Sequence, residues 1–361
     1  MDLESRMDLV RQVGEEIITE DELRELLRTK DHPIAYDGFE PSGPAPIHFA
    51  LYRAINLQDM LDAGVKFKLW LADWFAWINN KMGGDLSKIH QVGEYFIEVW
   101  KAAGVPTDQV EFLWASENMD GEYWKRVIMI AKNTTVNRMQ RCLTIMGRRK
   151  GELQDVAQFF YPAMQVSDIF QLECDICQLG IDQRRANMLA REVGPQIGLW
   201  KPVAVHHHML MGLQGLQGPA GYESDEKMDV SISSKMSKSA PESCIYVHDD
   251  RGTIMEKMKN AYCPPKDAQN NPVLEYAKYI IFRKRDELNI LRPAKYGGDL
   301  EIQSYRELED SYIKGDIHPL DLKKAVARVI DELVAPIREH FERDQRGREL
   351  YSLVKRSEVT R

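Results

Sequence analysis

Two short stretches of this 361-residue chain contain residue types suited to holding a polyphosphate. The first is a Gly- and Pro-rich turn that leads to His48 at the start of a helical pattern, where backbone N–H groups and the helix dipole favour phosphate oxygens. The second is Lys235-Met236-Ser237-Lys238-Ser239, which supplies two ammonium groups flanked by small hydroxyls. Together they predict a clamp on a triphosphate and indicate ATP-dependent activation of a carboxylate, in which the protein positions reactants and stabilises phosphate charge.

Other residues fit a pocket beside that clamp. Gly43 permits close approach of the backbone to a ligand. Asp182 lies between a predicted strand and helix, where an acid commonly binds ribose hydroxyls, although a plain helix cap explains it equally well. Tyr161, Gln165 and Asp168 occupy positions i, i+4 and i+7 of a helix and so share one face. Because buried polar groups must be paired, this face is either an internal hydrogen-bond network or a pocket for a polar small molecule.

The elements that must position these residues alternate between strands and helices. Two short amphipathic helices are predicted within 8–29. Beyond them we predict strands at 34–36, 66–72, 110–114, 175–179 and 203–205, separated by helices at 47–63, 86–103, within 122–150, near 154–170 and at 182–193. This order is typical of an α/β fold with a Rossmann-like, doubly wound parallel sheet, which binds ligands at the carboxyl ends of its strands. We expect Tyr36 to lie at such an end.

The chain divides into three predicted regions. Residues 1–33 form an N-terminal helical segment, 34–245 the Rossmann-like catalytic domain, and 246–361 a mainly α-helical C-terminal domain. The catalytic domain contains a helical insertion at about 115–155. A mobile Gly-, Ser- and Asp-rich stretch at 214–234 leads into the lysine motif, so that the whole loop spans 214–240.

Composition is that of a globular protein, with 43% hydrophobic and 29% charged residues. No apolar run approaches the ~20 residues that span a bilayer, so no membrane partner is expected. The N-terminus lacks the basic-then-apolar layout of a secretory signal. We therefore expect a cytoplasmic protein.

The cysteines and a histidine tract raise the question of a metal. Five cysteines, an odd number, argue against a disulfide framework. Cys174 and Cys177 form a single CxxC without the further ligands that zinc requires, and we predict that they are buried small hydrophobic residues. His206-His207-His208 lies at an apparent strand end before apolar residues. No protein-bound metal is predicted at either place.

The formal net charge of −8 weighs only weakly against a nucleic-acid partner, because phosphate contacts depend on local patches. One such patch is the acid-free segment 132–150, which contains Lys132, Arg138, Arg141, Arg148, Arg149 and Lys150. A solvated basic helix face is the more usual explanation of such a segment. Its interpretation as an RNA contact depends on a function argued from other residues.

Several motifs closely resemble tyrosyl-tRNA synthetases, a class I family, and specifically their archaeal and eukaryotic branch. The motifs are Tyr36–Gly43, Tyr161–Asp168, Asp182-Gln183-Arg184, Met188–Glu192, Lys235–Ser239 and Ala261–Pro264. Two further stretches, 72–76 and 79–84, resemble the cytosolic eukaryotic members especially. The resemblance covers nearly the whole chain. It implies activation of L-tyrosine with ATP to tyrosyl-adenylate and pyrophosphate, followed by transfer of the tyrosyl group to the 3′ end of tRNA(Tyr).

The resemblance also implies roles for individual residues. Tyr36 and Asp168 would hold the substrate phenol, while its amino and carboxylate end would be held by Tyr161, Gln165 and Gln183. Asp182 would face the ATP ribose. The phosphates would be bound at Gly43, His48, Lys235, Ser237 and Lys238, with His48, Lys235 and Lys238 as the catalytic groups and Mg²⁺ accompanying ATP.

Further implied partners are tRNA and a second copy of the chain. Arg184, Arg185 and the basic segment would contact the acceptor stem through its phosphates, and the C-terminal domain would bind the anticodon. Its predicted anticodon contacts are Tyr296, His318 and Asp321, for which packing on a Gly-Gly turn and helix capping are the alternatives. The family also implies a homodimer through the insertion. Its apolar residues Val127, Ile130, Met139, Leu143 and Met146 would suit that interface, although core packing explains them nearly as well.

One departure from the family pattern concerns the loop from Ser42 to His48. Compared with the family pattern it is longer by two residues, contains two prolines, and is followed by Leu51 where family members usually carry a polar residue. His48 is therefore the only imidazole of the motif. Two alternatives stay open: the sister enzyme for tryptophan, which would lack the pair Tyr36 and Asp168, and a catalytically silent relative that only binds RNA.

Overall fold

The computed structural model describes residues 1–148, 152, 155–221, 226–236 and 240–357. Its centre is a six-stranded sheet. The strands are β1 (Glu16–Ile18), β2 (Ile34–Phe39), β3 (Lys66–Leu71), β4 (Val110–Trp114), β5 (Ile176–Gly180) and β6 (Val203–His207), in the spatial order β1-β6-β5-β2-β3-β4. Strands β2 to β6 are parallel, which confirms the predicted Rossmann-like α/β fold. The strand order reverses between β5 and β2, and a crevice forms at such a reversal.

Helices cover both faces of this sheet and form the insertion. In the first part of the chain they are α1 (Leu3–Val13), α2 (Glu20–Thr29), α3 (Arg53–Asp62), α4 (Asp73–Ile78), α5 (Leu86–Ala102), α6 (Ala115–Asn118), α7 (Gly121–Lys132), α8 (Val136–Cys142), α9 (Tyr161–Gln171) and α10 (Arg184–Val193). Thr19 caps α2 in a capping box with Glu22, as its sequence pattern indicates. Strands β5 and β6 are buried along their full length, since helices lie on both sides of them.

The C-terminal region is mainly helical, as predicted. Its helices are α12 (Arg251–Asn260), α13 (Pro272–Tyr276), α14 (Phe282–Lys284), α15 (Tyr305–Lys314), α16 (Pro319–Arg343) and α17 (Gln345–Arg356), and it follows a preceding helix, α11 (Glu226–Ser234). A two-stranded antiparallel ribbon of β7 (Leu288–Ile290) and β8 (Leu300–Ile302) accompanies them. Helices α16 and α17 pack against α5, so the two large regions share one hydrophobic core. Within the described ranges no helix is long and apolar enough to cross a bilayer.

Several local predictions require correction. The segment 1–33 is not purely helical, because β1 joins the sheet antiparallel to β6, and the sheet is therefore mostly rather than wholly parallel. Three residues are too few to show a strand periodicity. The stretch 214–234, predicted as a mobile loop, contains helix α11. Strand β2 continues to Phe39, so Tyr36 lies within the strand rather than at its end.

The predicted helix after Ile47 begins with a π-helical turn, His48–Tyr52, before α3. In that turn the backbone N–H of Arg53 bonds to the carbonyl of His48, five residues earlier. The wider turn places Arg53 beside His48, whereas regular α-helical geometry would put residues five apart on different faces. Likewise the predicted helix near 154–170 starts only at Tyr161, after a 3₁₀ turn at Val156–Phe159.

Candidate active site

A cavity of about 250 Å³ opens at the crevice beside β2 and β5. It gathers most of the residues predicted to bind the amino acid and nucleotide. Those that line it are Tyr36, His48, Tyr161, Gln165, Asp168, Asp182, Gln183 and Lys235. Gly43 is not one of the lining residues, and its neighbour Ser42 lines the cavity instead. Gly43 has a φ of 109°, so glycine there is required by the turn. Ser237 and Lys238 lie outside the described residues.

The closed end of the cavity presents a carboxyl and a hydroxyl. Asp168 is 2% exposed and Tyr36 is 1% exposed. The hydroxyl of Tyr36 makes no hydrogen bond to a described residue. Burial raises the pKa of Asp168 well above its usual range, although a hydrogen bond from Tyr123 opposes the shift. The indole N–H of Trp70 faces the same carboxyl without an aligned hydrogen bond. This end can therefore receive a ligand that donates and accepts one hydrogen bond.

The middle of the cavity is lined by the polar face of α9. The hydroxyl of Tyr161 donates to Glu40 Oε1 at 2.6 Å, and Gln165 Nε2 donates to Gln183 Oε1 at 3.1 Å. Gln183 in turn donates to the carbonyl of Ile145 at 3.1 Å. The two interpretations of this face are thus compatible, because the side chains are hydrogen-bonded to one another and also line the cavity. Glu40 lies within the motif Tyr36–Gly43, but the sequence indicated no role for it.

The other end of the cavity joins the two stretches that are distant in sequence. Lys235 Nζ lies 2.7 Å from Asp182 Oδ2. Burial alone would raise the pKa of Asp182, but attraction to Lys235 and their hydrogen bond outweigh burial and lower it. His48 Nδ1 is 3.3 Å from the sulfur of Met236. The motif around Lys235 therefore contacts the start of the helix at His48, as the clamp requires.

A basic group that the sequence did not indicate, Arg53, lies beside that clamp. Arg53 lines the cavity, donates from Nη1 to Asp37 Oδ2 at 2.7 Å, and lies 4.4 Å above the Phe39 ring. Burial raises the pKa of Asp37 to about 7, even though Arg53 counteracts it. The i+5 spacing of the π-helical turn hid Arg53, because helical periodicity assigns it to another face.

Among the described residues that were predicted to contact tRNA, none lines the cavity, and Arg149 and Lys150 of the basic segment lie outside the described residues. Arg184 is paired with Glu16 at 2.8 Å, and Arg185 is partly buried. Tyr296 is 62% exposed, with Lys295 Nζ 4.7 Å from its ring centroid. The capping alternative for Asp321 is wrong, since His318 caps α16 by accepting from the N–H of Leu320 at 3.1 Å. Asp321 instead lies in the first turn of that helix.

The apolar residues proposed for a dimer interface are buried inside this chain. Val127, Ile130, Met139, Leu143 and Met146 are each at most 9% exposed. Core packing, the alternative, therefore accounts for them, and they are not available to a partner. On the same helices Ile128 and Val136 are 61% and 70% exposed.

The residues considered as metal ligands have other surroundings. Cys174 and Cys177 are buried and reduced, as predicted for small hydrophobic residues. His206 Nδ1 contacts Glu16 at 2.8 Å, and His207 Nδ1 contacts Gln178 at 2.7 Å. These two histidines thus connect β6 to neighbouring strands.

Comparison with known proteins agrees with this geometry. The family of class I tRNA synthetases for tryptophan and tyrosine matches residues 28–218 and 227–335, and the chain belongs to that family. A cytoplasmic tyrosine--tRNA ligase of Arabidopsis thaliana is 46% identical over all of this chain and 90% of its own length. The tyrosine--tRNA ligase of Saccharolobus islandicus is 45% identical over the full length of both chains.

A solved structure of a tyrosyl-tRNA synthetase also has the fold of this chain. The tyrosyl-tRNA synthetase of Pyrococcus horikoshii, crystallised with L-tyrosine, superposes with a TM-score of 0.89 at 39% identity. The superposition covers 98% of this chain and 100% of that one. The comparisons confirm the resemblance to archaeal and eukaryotic tyrosyl-tRNA synthetases, and with it the predicted activity, ATP-dependent ligation of tyrosine to tRNA.

Proposed function

We propose that the cavity beside β2 and β5 activates L-tyrosine with ATP to tyrosyl-adenylate and pyrophosphate, and then passes the tyrosyl group to the 3′ end of tRNA(Tyr). The observation that carries this proposal is the polarity of the cavity's two ends. A buried carboxyl and a hydroxyl occupy the closed end, whereas Lys235 and His48 stand at the other. An amino acid with a phenol fits the first end, and a polyphosphate fits the second.

The phenol of tyrosine would donate to Asp168 and accept from Tyr36, whose hydroxyl makes no hydrogen bond to a described residue. Phenylalanine would leave the Tyr36 hydroxyl and the second oxygen of Asp168 unpaired, and an unpaired buried polar group costs about 1–3 kcal/mol. Tyrosyl-tRNA synthetases are themselves the standard example of such discrimination, at about 10⁵-fold against phenylalanine. The pair also argues against an indole substrate, which brings no phenol to satisfy it.

The amino and carboxylate end of the substrate would lie along α9. Tyr161 gives its proton to Glu40, so its oxygen is free to accept from the substrate ammonium. The Glu40 carboxylate adds a negative charge next to that ammonium, and Gln165 and Gln183 supply further amide groups. This arrangement would hold the substrate carboxylate toward the nucleotide end, as an in-line reaction requires.

In the activation step a tyrosine carboxylate oxygen bonds to the α-phosphorus of ATP while the bond to the pyrophosphate oxygen breaks. Lys235 and Asp182 neutralise each other across 2.7 Å in the structure. We propose that, when ATP binds, its ribose hydroxyls donate hydrogen bonds to Asp182 in place of Lys235. Lys235 is then free to bind the phosphates. His48, with Ser237 and Lys238 of the same motif as Lys235, would stabilise the charge that grows on the leaving pyrophosphate. ATP would enter as its Mg²⁺ complex.

The remaining partners extend this proposal to the whole chain. Arg184, Arg185 and the basic segment 132–150 would contact the acceptor stem, while Tyr296, His318 and Asp321 would meet the anticodon. Tyr296 is exposed, as stacking on an unpaired base requires. A homodimer would form through the exposed apolar residues Ile128 and Val136 rather than through their buried neighbours. We place the protein in the cytoplasm.

The proposal is tested by tyrosine-dependent ATP–pyrophosphate exchange, with phenylalanine and tryptophan as competitors. We expect exchange with tyrosine and only weak exchange with the other two. Asp168→Ala should reduce the preference for tyrosine over phenylalanine while leaving the KM for ATP nearly unchanged. The exposed Asp108→Asn is the matched control. Equal exchange with all three amino acids would refute the substrate assignment, and exchange with none would favour a protein that only binds RNA.

A further inference from the structure

A buried tyrosine lies directly behind the carboxyl of Asp168. Tyr123, in the first turn of α7, is fully buried and is not among the residues that line the cavity. Its hydroxyl is 2.8 Å from Asp168 Oδ1 and 2.9 Å from the carbonyl oxygen of Met164. The hydroxyl therefore has two oxygen neighbours within hydrogen-bond distance, and both belong to α9.

Counting protons restricts how these three groups can be arranged. A tyrosine hydroxyl has one proton, and the carbonyl of Met164 can only accept. If Tyr123 donates to Asp168, then Asp168 Oδ1 is an acceptor, and this hydrogen bond lowers the pKa of the carboxyl and so favours its ionised form. If Tyr123 donates to Met164, a protonated Asp168 can donate from Oδ1 to the Tyr123 oxygen. In both of these arrangements Asp168 Oδ2 carries no proton and is left to accept. A neutral carboxyl with its proton on Oδ2 is a third arrangement, and it is disfavoured by the Tyr123 hydrogen bond, which favours the ionised form.

The surroundings of Asp168 favour a protonated carboxyl, so the oxygen that carries the proton decides whether Oδ2 donates or accepts. Burial raises the pKa of Asp168 well above its usual range, which favours a carboxyl that retains its proton. The pKa of Tyr123 is also raised well above its ordinary value by burial, so its hydroxyl stays protonated. A protonated carboxyl with no neighbour on Oδ1 could place its proton on Oδ2 and donate into the cavity. It could then bond to Tyr36 instead of requiring a donor from the substrate.

We propose that Tyr123 is a positioning residue that keeps Oδ2 of Asp168 a hydrogen-bond acceptor, so that the site requires a donating para substituent on its aromatic amino acid. The inference rests on the proposed function, because it assigns a cause to the specificity of that site. Trp70 supports it, since the indole N–H that faces Asp168 can only donate.

The test compares kcat/KM for L-tyrosine and L-phenylalanine in ATP–pyrophosphate exchange, for the wild type and Tyr123→Phe. The substitution removes one oxygen and keeps the ring. Loss of a hydrogen bond to a carboxyl should reduce the tyrosine-to-phenylalanine preference by roughly tenfold, while the KM for ATP stays unchanged. Tyr312→Phe is the matched control, because Tyr312 is also buried and donates to a carbonyl, that of Pro264 at 2.8 Å, in the C-terminal region.

A second arm asks whether Tyr123 acts through Asp168. Adding Tyr123→Phe to Asp168→Asn should leave the already reduced preference unchanged, whereas an independent effect would reduce it again. Rates are normalised to active sites by the pyrophosphate burst, and Tyr123→Met replaces Tyr123→Phe if that variant does not fold. An equal fall in kcat/KM for both amino acids would mean a purely structural role and overturn the inference. A wild type without exchange would instead refute the proposed function itself.

Discussion

The folding stability of this protein should depend on pH through His208, which follows β6. Its Nδ1 lies 3.2 Å from Glu15 Oε2 in the N-terminal segment, and its Nε2 lies 3.1 Å from Glu275 Oε2 on α13. The ring stacks on Tyr279 with 4.5 Å between centroids. Burial alone would lower the pKa of His208, but the two carboxylates outweigh it and raise the pKa to about 9. One imidazolium thus joins three segments that are distant in sequence.

The size of the effect follows from linkage between protonation and folding. A pKa raised from 6.5 to about 9 corresponds, at about 1.36 kcal/mol per unit, to at most about 3 kcal/mol of stability. It is an upper limit because the contact of Nε2 with Glu275 is an ion pair without an aligned hydrogen bond. Since the folded state binds the proton more tightly, this stability is complete below about pH 6.5. It is lost as pH rises through about 9.

The assay is urea unfolding of the wild type and His208→Gln at pH 6.0 and pH 9.5. The variant should unfold with up to about 3 kcal/mol less free energy at the lower pH, and the difference should nearly vanish at the higher pH. At pH 9.5 most wild-type molecules also lack the imidazolium, so in both proteins Glu15 and Glu275 have largely lost the histidine cation. His32→Gln, at an exposed histidine, is the matched control. A wild-type-to-variant difference that is the same at both pH values would refute the reasoning.

Three further predictions concern the nucleotide site, the dimer and tRNA. Lys235→Ala should lower kcat/KM for ATP in pyrophosphate exchange by about 10²-fold, because a phosphate ligand is lost, while tyrosine still protects the protein against thermal unfolding; loss of that protection would contradict the assignment. Ile128→Asp, at a position 61% exposed, should yield monomers in sedimentation without loss of stability, whereas Val127→Asp, at 3% exposure, should unfold the chain. A dimer unaffected by Ile128→Asp would place the interface elsewhere. Tyr296→Ala should remove the stacking of one tRNA base on the aromatic ring, which is worth about 1–3 kcal/mol, and so lower kcat/KM for tRNA in aminoacylation. The rate of ATP–pyrophosphate exchange should stay unchanged, and a reduced rate would indicate misfolding.

The sequence was informative wherever function depends on regular spacing. The spacing of Tyr161, Gln165 and Asp168 predicted a shared face, and all three line the cavity. The alternation of strands and helices predicted the parallel sheet, since a strand buried on both faces has a recognisable apolar run. The lysine motif predicted a contact with the helix start at His48, which Met236 makes. Each of these predictions depended only on the spacing of residues within one segment and on one general rule for how such segments pack.

What the sequence did not predict depends on contacts between distant segments or on irregular turns. Glu40 and Tyr161 are 121 positions apart, and only the assembled sheet brings their oxygens to 2.6 Å. Strand β1 is defined by its partner β6 and not by its own three residues. Arg53 reaches the cavity through a π-helical turn, which breaks the periodicity on which helix prediction relies.

Tyr123 shows why residues that act through contacts between distant helices cannot be predicted from the sequence. Asp120 caps α7 by accepting from the backbone N–H of Tyr123, so the sequence predicts a tyrosine in the first turn of a helix and, from amphipathicity, a buried ring. Neither inference says where the hydroxyl lies. That position is decided when α7 packs against α9, which brings the oxygen to Asp168 across 45 residues of chain. The specificity of the site for a phenol thus depends on helix packing as much as on the motif that contains Asp168, and substitutions in α7 should change it without altering a single residue of the cavity lining.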